Sequence, residues 1–534
     1  MCGILLYHGC DSQKVASRTD EYIEFEENSD NEIKYISGND TIDSIIPYIA
    51  RRGPNFSSYR FLKNYNTCWF SSVLSLRQPF TKQSINIKDR FILQFNGELY
   101  NEGIKEAHES DTQFIVNLLQ NIIKDQDTTI TQQQLINILK KLDGEFAYTI
   151  YDLKESIIYF GRDTIGKRSL SYCLDNESGE LYISSVTGTT SKNFINCNGG
   201  QIYKYNTITK TMSEETIMIK DIPYQINDTT DIDMKNHDSL VKGLYEQLSN
   251  ATNKRITTIH PTHIENSPIS VLFSGGLDCS VIVALICDFF TNNVSYQNNK
   301  KPTIELLNVG FENPRTKLQP SGTPDRKLGI NSFSILKNLY PGIDIKLIEV
   351  DVPYEEYLNI RPKAIDLMYP KNTEMDLSIA IAFHFASRGK GFITQNNKRI
   401  PYNRKGIVLF SGLGADELYG GYHKLANKDT PQLVEELQRQ INNIHDRNLN
   451  RDDKVIADNG VEVRYPFLDE SVIKFSTSEI PINYKINKFI LRELAKNVLN
   501  LGPIAEEPKR AIQFGAKSAK MTKDGNKNGT DLLK

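Results

Sequence analysis

The sequence holds little that would staple, anchor or charge it. Its seven cysteines, Cys2, Cys10, Cys68, Cys173, Cys197, Cys279 and Cys287, are odd in number and scattered over 534 residues. That argues against a disulfide framework and fits a reducing compartment, so a cytoplasmic location is expected. No CxxC pair and no HExxH helix is present, which removes the usual spacings of a zinc site. No apolar run approaches the roughly 20 residues that cross a bilayer. The first residues lack a basic stretch followed by an apolar one, so neither secretion nor organelle import is expected. Charge is nearly balanced, 63 Lys and Arg against 66 Asp and Glu for a net charge of -3. Such a surface carries no electrostatic footprint for nucleic acid. Small molecules are the expected partners.

What is present is length and two textures. A chain of 534 residues exceeds the size of one core, so at least two domains are expected. Up to about Tyr205 short β-branched and aromatic runs alternate with turns, as in Phe91–Phe95, Ala147–Tyr151, Ser156–Phe160 and Leu181–Ile183. A helix is expected over Thr112–Lys124. Residues 1–205 read as an α+β domain with antiparallel sheets lying between helices. Residues 206–235 are polar and Thr/Asp-rich, and read as a linker or a peripheral hairpin. A helix over Ser239–Lys254 follows. Then the rhythm becomes strand, loop, helix, with strands expected at Ile269–Phe273, Ile304–Phe311, Ile343–Val350 and Gly406–Phe410. Residues 236–518 therefore read as an α/β domain with a parallel sheet. The basic, Asn-rich stretch Gly389–Lys405 reads as an insertion. Residues 519–534 read as a polar, disordered tail.

Two places carry chemistry. Cys2 stands directly after Met1. Removal of that methionine leaves a cysteine whose own α-amino group, with a pKa near 8, can take the thiol proton. The rival reading is an incidental cysteine. Asn96 and Gly97 end an apolar strand, where an amide side chain and a backbone N–H suit an oxyanion hole. Asp111 opens a helix and serves either as an anchor for a substrate ammonium group or as an N-cap. The second place is Ser274-Gly275-Gly276-Leu277-Asp278-Cys279-Ser280, a glycine turn between an apolar strand and a buried helix. Backbone N–H groups at such a helix start bind phosphate. The loop lacks the Gly-Lys-Ser/Thr ending of a Walker A motif.

Met1-Cys2-Gly3-Ile4, Arg51-Arg52-Gly53-Pro54, Asn96-Gly97-Glu98-Leu99-Tyr100-Asn101, Ser110-Asp111, Asp143-Gly144-Glu145-Phe146-Ala147 and Gly161-Arg162-Asp163 through Gly166 together resemble class II glutamine amidotransferases. The resemblance implies an N-terminal nucleophile-type glutaminase domain that releases ammonia from glutamine. Cys2 would be the nucleophile, Asn96 and Gly97 the oxyanion donors, and Asn96, Gly97, Glu98 and Asp111 the glutamine-binding residues. Two positions depart from the pattern. Asn55 replaces an Asp, and Val73 replaces the Arg that forks onto the glutamine carboxylate. Arg77, four residues on, is the candidate substitute.

The second half resembles the pyrophosphate-loop domain of asparagine synthetases. The resemblance rests on Ser274–Ser280, on Val309-Gly310-Phe311, on Pro324-Asp325, on Ser411-Gly412-Leu413-Gly414-Ala415-Asp416-Glu417 through Tyr422, on Val461-Glu462-Val463-Arg464-Tyr465-Pro466-Phe467-Leu468-Asp469, on Lys488–Glu493 and on Lys509. It implies ATP contacts at Leu272, Phe273, Ser274, Gly275, Gly276, Asp278, Ser280, Val309, Ser411 and Gly412. Asp278 and Asp416 would hold Mg²⁺, and Lys509 would meet the leaving pyrophosphate. Cys279 stands for a Ser and Leu413 for a Glu, and a leucine moves no proton. With these departures the chain resembles the divergent asparagine synthetase domain-containing proteins of eukaryotes. The expected activity is ATP-dependent amidation of a carboxylate, aspartate first, through an acyl-adenylate with ammonia from glutamine. A nucleotide-binding regulatory protein and a ligase for another acceptor remain open, and a homodimer is a possible assembly.

Overall fold

The computed structural model describes residues 2–9, 18–26, 37–104, 110–123, 130–220, 224–230, 234–260, 263, 268–293, 301–422, 425, 428–521 and 529–533. Parts of the expected linker (221–223 and 231–233) and tail (522–528 and 534), and Lys124 of the expected helix, lie outside these residues.

The first half stacks two antiparallel sheets. One runs β11 (Ile195–Asn196), β9 (Ser171–Leu174), β10 (Leu181–Ser184), β1 (Gly3–His8), β4 (Thr67–Val73), β3 (Phe56–Leu62) and β2 (Glu21–Glu26). The other runs β13 (Thr211–Met212), β12 (Gln201–Asn206), β8 (Ile157–Arg162), β7 (Gly144–Asp152), β6 (Phe91–Leu99) and β5 (Ile85–Ile87), with β14 (Ile217–Met218) also on β12. The pleat explains the stacking. On β1, Ile4 and Leu6 face Ile92, Ala147 and Phe160 of the second sheet, while Leu5 and Tyr7 face the helix Asp40–Arg52. Helices Asp111–Ile122 and Gln132–Lys140 cover the far side. The stretch expected as a linker thus begins as a hairpin on the sheet, through β13 and β14.

The second half is built on a mixed, mostly parallel sheet. Its order is β19 (Lys398–Asn403), β18 (Lys390–Gln395), β17 (Asp344–Val352), β16 (Thr303–Phe311), β15 (Ile269–Leu272), β20 (Val408–Phe410) and β21 (Glu462–Arg464). Among the described strands of this sheet only β18 is reversed, pairing antiparallel with β17 on one side and β19 on the other. β18 and β19 are the expected insertion, folded as a hairpin on the sheet edge, where Pro401 blunts further pairing. Carbonyls of Gly529 and Asp531 accept from the Met375 and Glu374 amides, satisfying the first turn of the helix Glu374–Arg388.

The two halves do not keep separate cores. One apolar cluster runs from Ile42, Ile45 and Ile49 to Leu272, Val283 and Leu409. Buried charge crosses the same boundary. Arg52 pairs with Asp453, Arg255 with Glu145 and Arg464 with Glu98, all with side chains under 5 % exposed. Such pairs are costly to break, about 3–5 kcal/mol for removal of one partner. They fix the halves in one register.

Candidate active sites

Cys2 lies just ahead of β1, half-buried. Its N–H donates to Asn96 Oδ1 at 2.9 Å, and its carbonyl accepts from Arg52 Nε at 3.2 Å. The Asn96 side chain is thereby oriented. Its Oδ1 is used, and its Nδ2 is buried with no partner among the described residues. A donor left in that state beside a nucleophile is what an oxyanion hole needs. Gly97 follows on β6. Burial pushes the Cys2 thiol up to about 11, against the pull of the chain's amino terminus and of the Leu74 amide. The thiol therefore depends on a local base to ionise.

Around it, the helix beginning at Asp111 is capped by Ser110, whose Oγ accepts from the Gln113 amide. Asp111 is thus not the N-cap, and its Oδ1 accepts from the Thr112 amide at 2.7 Å. Burial pushes that carboxyl up, while Arg77 pulls it down. Val73 is buried at the end of β4, as its apolar side chain requires. Asn55 accepts from the Ser75 amide at 2.9 Å, holding the turn after β4. Arg77 is also inside, but its guanidinium already binds Glu98 and the Leu99 carbonyl. Glu98 in turn reaches Arg464 at 3.0 Å. Sequence reasoning assigned Arg77 and Glu98 to glutamine; the structure spends Glu98 on the boundary between the halves.

The second centre is formed by two loops. Gly275 has φ +84°, and a Cβ there would lie 2.5 Å from the Gly329 amide, so the turn seats on the helix Pro324–Leu339. Gly276 caps the helix Leu277–Asn292 with no side-chain acceptor, leaving N–H groups at a positive helix end. Ser274 Oγ accepts from the Gly276 amide, and Cys279 Sγ donates to the Gly276 carbonyl at 3.3 Å. The thiol keeps the local bond that a serine would make. Leu272 and Phe273 are buried at the end of β15, Val309 is buried on β16, and the Ser280 hydroxyl is buried without a partner among the described residues.

Asp278 and Asp416 converge on one cation. Lys488 Nζ lies 2.6 Å from each carboxylate. Lys509 binds Asp416 as well. Burial alone would push the Asp416 carboxyl up; Lys488 and Lys509 override it and hold it well below the carboxylate range. Among the described residues no group of three or more His, Cys, Asp or Glu forms a metal cage. Two carboxylates do suit Mg²⁺, which fills its shell from phosphates and water. Lys488 escaped sequence reasoning as a site residue. It follows Asn487, and both sit in left-handed backbone, φ +61° and +52°. That strain at a non-glycine pair marks an over-determined position. Asp325 lies in the string Pro324-Asp325 but was given no role at the site. It is buried, and burial pushes its carboxyl up to about 7 despite Arg510, Lys509 and Lys517 nearby.

Ser411 donates its amide to the Arg464 carbonyl at 3.0 Å and its Oγ accepts from Leu413. Gly412 packs on Asp278. The Leu413 side chain rests on the apolar core. Glu417, next to Asp416, is buried and accepts from Tyr422 Oη at 2.7 Å and from Asn448 at 3.1 Å.

Comparison with known proteins gives two family matches. A glutamine amidotransferase domain matches residues 72–190, and asparagine synthase matches residues 258–430 and 425–532. An asparagine synthetase domain-containing protein of Saccharomyces cerevisiae is 60% identical over 536 residues, covering 100% of this chain and 99% of that protein. Asparagine synthetase domain-containing protein 1 of Gallus gallus is 28% identical, over 90% of this chain and 94% of that protein. The glutamine-hydrolyzing asparagine synthetase of Homo sapiens is 26% identical, over 88% of this chain and 81% of that protein.

Proposed function

Since this chain belongs to the asparagine synthase family, with a glutamine amidotransferase domain ahead of its synthase domain, we propose that it is a glutamine-hydrolysing, ATP-dependent ligase that amidates a carboxylate, aspartate first. The Cys2 thiolate attacks the carboxamide carbon of glutamine. Asn96 Nδ2 and the Gly97 N–H receive the charge that develops on the carbonyl oxygen. Asp111 holds the substrate's ammonium group. Ammonia leaves, and water then frees glutamate from the thioester. At the second centre the amides of Ser274–Ser280 cradle phosphates, and the acceptor carboxylate displaces pyrophosphate from ATP to form an acyl-adenylate. Lys509 meets the departing pyrophosphate. When bound, magnesium would neutralise phosphate charge, held by Asp278 and Asp416. Ammonia passing between the halves completes the amide.

One observation supports this reading above the rest. The two centres abut a single buried boundary, with Arg52 running from the Cys2 carbonyl to Asp453 and Arg464 from Glu98 to the Ser411 strand. Such a boundary keeps water from the ammonia in transit. The test is purified protein with glutamine, aspartate, ATP and Mg²⁺, read for glutamate, pyrophosphate and asparagine together. Glutamate and pyrophosphate without asparagine would move the reading to another acceptor. ATP binding with none of the three products would favour a regulatory nucleotide-binding protein, the reading that Leu413 supports because its side chain carries no proton acceptor.

Asn96→Ala removes the oxyanion donor and leaves the nucleophile. Its expected effect is a loss of about 10²–10³ in the kcat for glutamate release, with KM changed far less. Steady-state kinetics in glutamine checks this. A rise in KM with kcat unchanged would reassign Asn96 to ground-state binding.

A further inference from the structure

Resting on the proposed function, we infer that Arg464 is a positioning residue that ties the nucleotide loop to the oxyanion strand, so that occupancy of the ATP site sets the reactivity of Cys2.

Arg464 touches both centres through different atoms. Its backbone carbonyl accepts from the Ser411 amide at 3.0 Å, and β20 and β21 pair Phe410 with Arg464. Its guanidinium lies at the other centre's edge. There it meets Glu98 Oε2 at 3.0 Å, Glu462 at 2.8 Å and Thr258 Oγ1 at 2.6 Å, besides the Arg255 carbonyl. Glu98 is two residues from Asn96 on the same strand. A displacement of the Ser411 loop therefore reaches the oxyanion donors through one side chain and three strand residues.

The path has no slack. The Arg464 side chain is 0 % exposed and that of Glu98 is 3 % exposed. Glu98 is gripped from its other side by Arg77. Behind it, Gly97 packs so tightly on β7 that a Cβ would lie 2.2 Å from the Glu145 carbonyl, and Glu145 is itself held by Arg168 and Arg255. Close-packed interiors transmit such shifts instead of absorbing them. The guanidinium divides the work among its nitrogens, Nη2 on Glu98, Nε on Glu462 and Nη1 on Thr258 Oγ1, and the single nitrogen of a lysine cannot stand at all three places.

The experiment labels Cys2 with iodoacetamide and follows its peptide by mass spectrometry, with and without saturating ATP and Mg²⁺. Calorimetry measures ATP binding in parallel. This readout needs no turnover. In the native protein, nucleotide should change the Cys2 labelling rate at least threefold. Arg464→Lys should bind ATP with a Kd within about twofold of native and lose the change, and Glu98→Gln should do the same. Thr258→Val, which removes a neighbour of Arg464 off the path, should keep it. Native protein that binds ATP with no change in labelling overturns the coupling and leaves the proposed function standing. Full retention of the change in both Arg464→Lys and Glu98→Gln also overturns it. Native protein that does not bind ATP overturns the nucleotide reading and the coupling with it.

Discussion

Cys2→Ala is expected to lower glutamate release from glutamine by about 10³-fold or more, the scale on which loss of a covalent nucleophile acts, while ATP binding stays as it was. The argument is geometric first. Cys2 is the residue whose N–H orients Asn96, and the oriented amide presents an unpartnered Nδ2 beside it. The other described cysteines, Cys68, Cys173, Cys197, Cys279 and Cys287, are all buried. The electrostatics then set a condition. A thiol raised to about 11 is almost wholly protonated at neutral pH. It needs a base within reach, and a free α-amino group on the same residue is one. Glutamate release should therefore be confined to molecules whose first residue is Cys2. Its kcat/KM should rise with pH through about 7–8, as the amine loses its proton and becomes able to accept another. N-terminal mass analysis beside a pH profile checks both. Undiminished glutamate release in Cys2→Ala would sink the assignment.

The sequence reads well where function is written in consecutive residues and poorly where it is written across the fold. The antiparallel first half follows from short β-branched and aromatic runs between turns, and the second half from its strand–loop–helix rhythm, which are local properties. Cys2, Asn96-Gly97 and Ser274–Ser280 are legible for the same reason: each is a short string whose chemistry depends on its neighbours in the chain. Arg52, Arg464 and Lys488 are different. Arg464 meets Glu98 across 366 positions, and Lys488 meets Asp278 across 210. No periodicity records such a meeting. Arg464 does carry a family string, yet the string gives no hint of which carboxylate it holds. The offset from Val73 to Arg77 misleads in the opposite direction, since a nearby arginine looks free until the fold pairs it with Glu98. Composition gives no sign of the bonds by which the Gly529 and Asp531 carbonyls accept from the helix amides of Met375 and Glu374.

Asp416→Asn should abolish ATP-dependent pyrophosphate release, by about 10³-fold or more, the scale on which removal of a catalytic group acts. It should also destabilise the fold with a distinctive pH dependence. Asp416 neutralises Lys488, whose side chain is 3 % exposed, and Lys509, whose side chain is 24 % exposed. The asparagine keeps the shape and removes the charge, leaving Lys488 to Asp278 alone and Lys509 without its carboxylate. Full burial of both lysines would put the cost at about 3–5 kcal/mol. The exposure of Lys509 and the surviving Asp278 contact bring it down to about 2 kcal/mol. The sign of the pH effect follows from the direction of the shift. A carboxyl held below its ordinary value stabilises the fold at every pH above the unfolded value, near 3.9 for Asp, and that stabilisation is lost as pH falls toward the folded value. The gap between native and Asp416→Asn protein should thus be constant from pH 7 to about 5 and close below about 4. Thermal unfolding of both proteins across that range measures it. A gap that widens on acidification would show that Asp416 is not the anion between the two lysines, and retained pyrophosphate release would remove it from the catalytic centre.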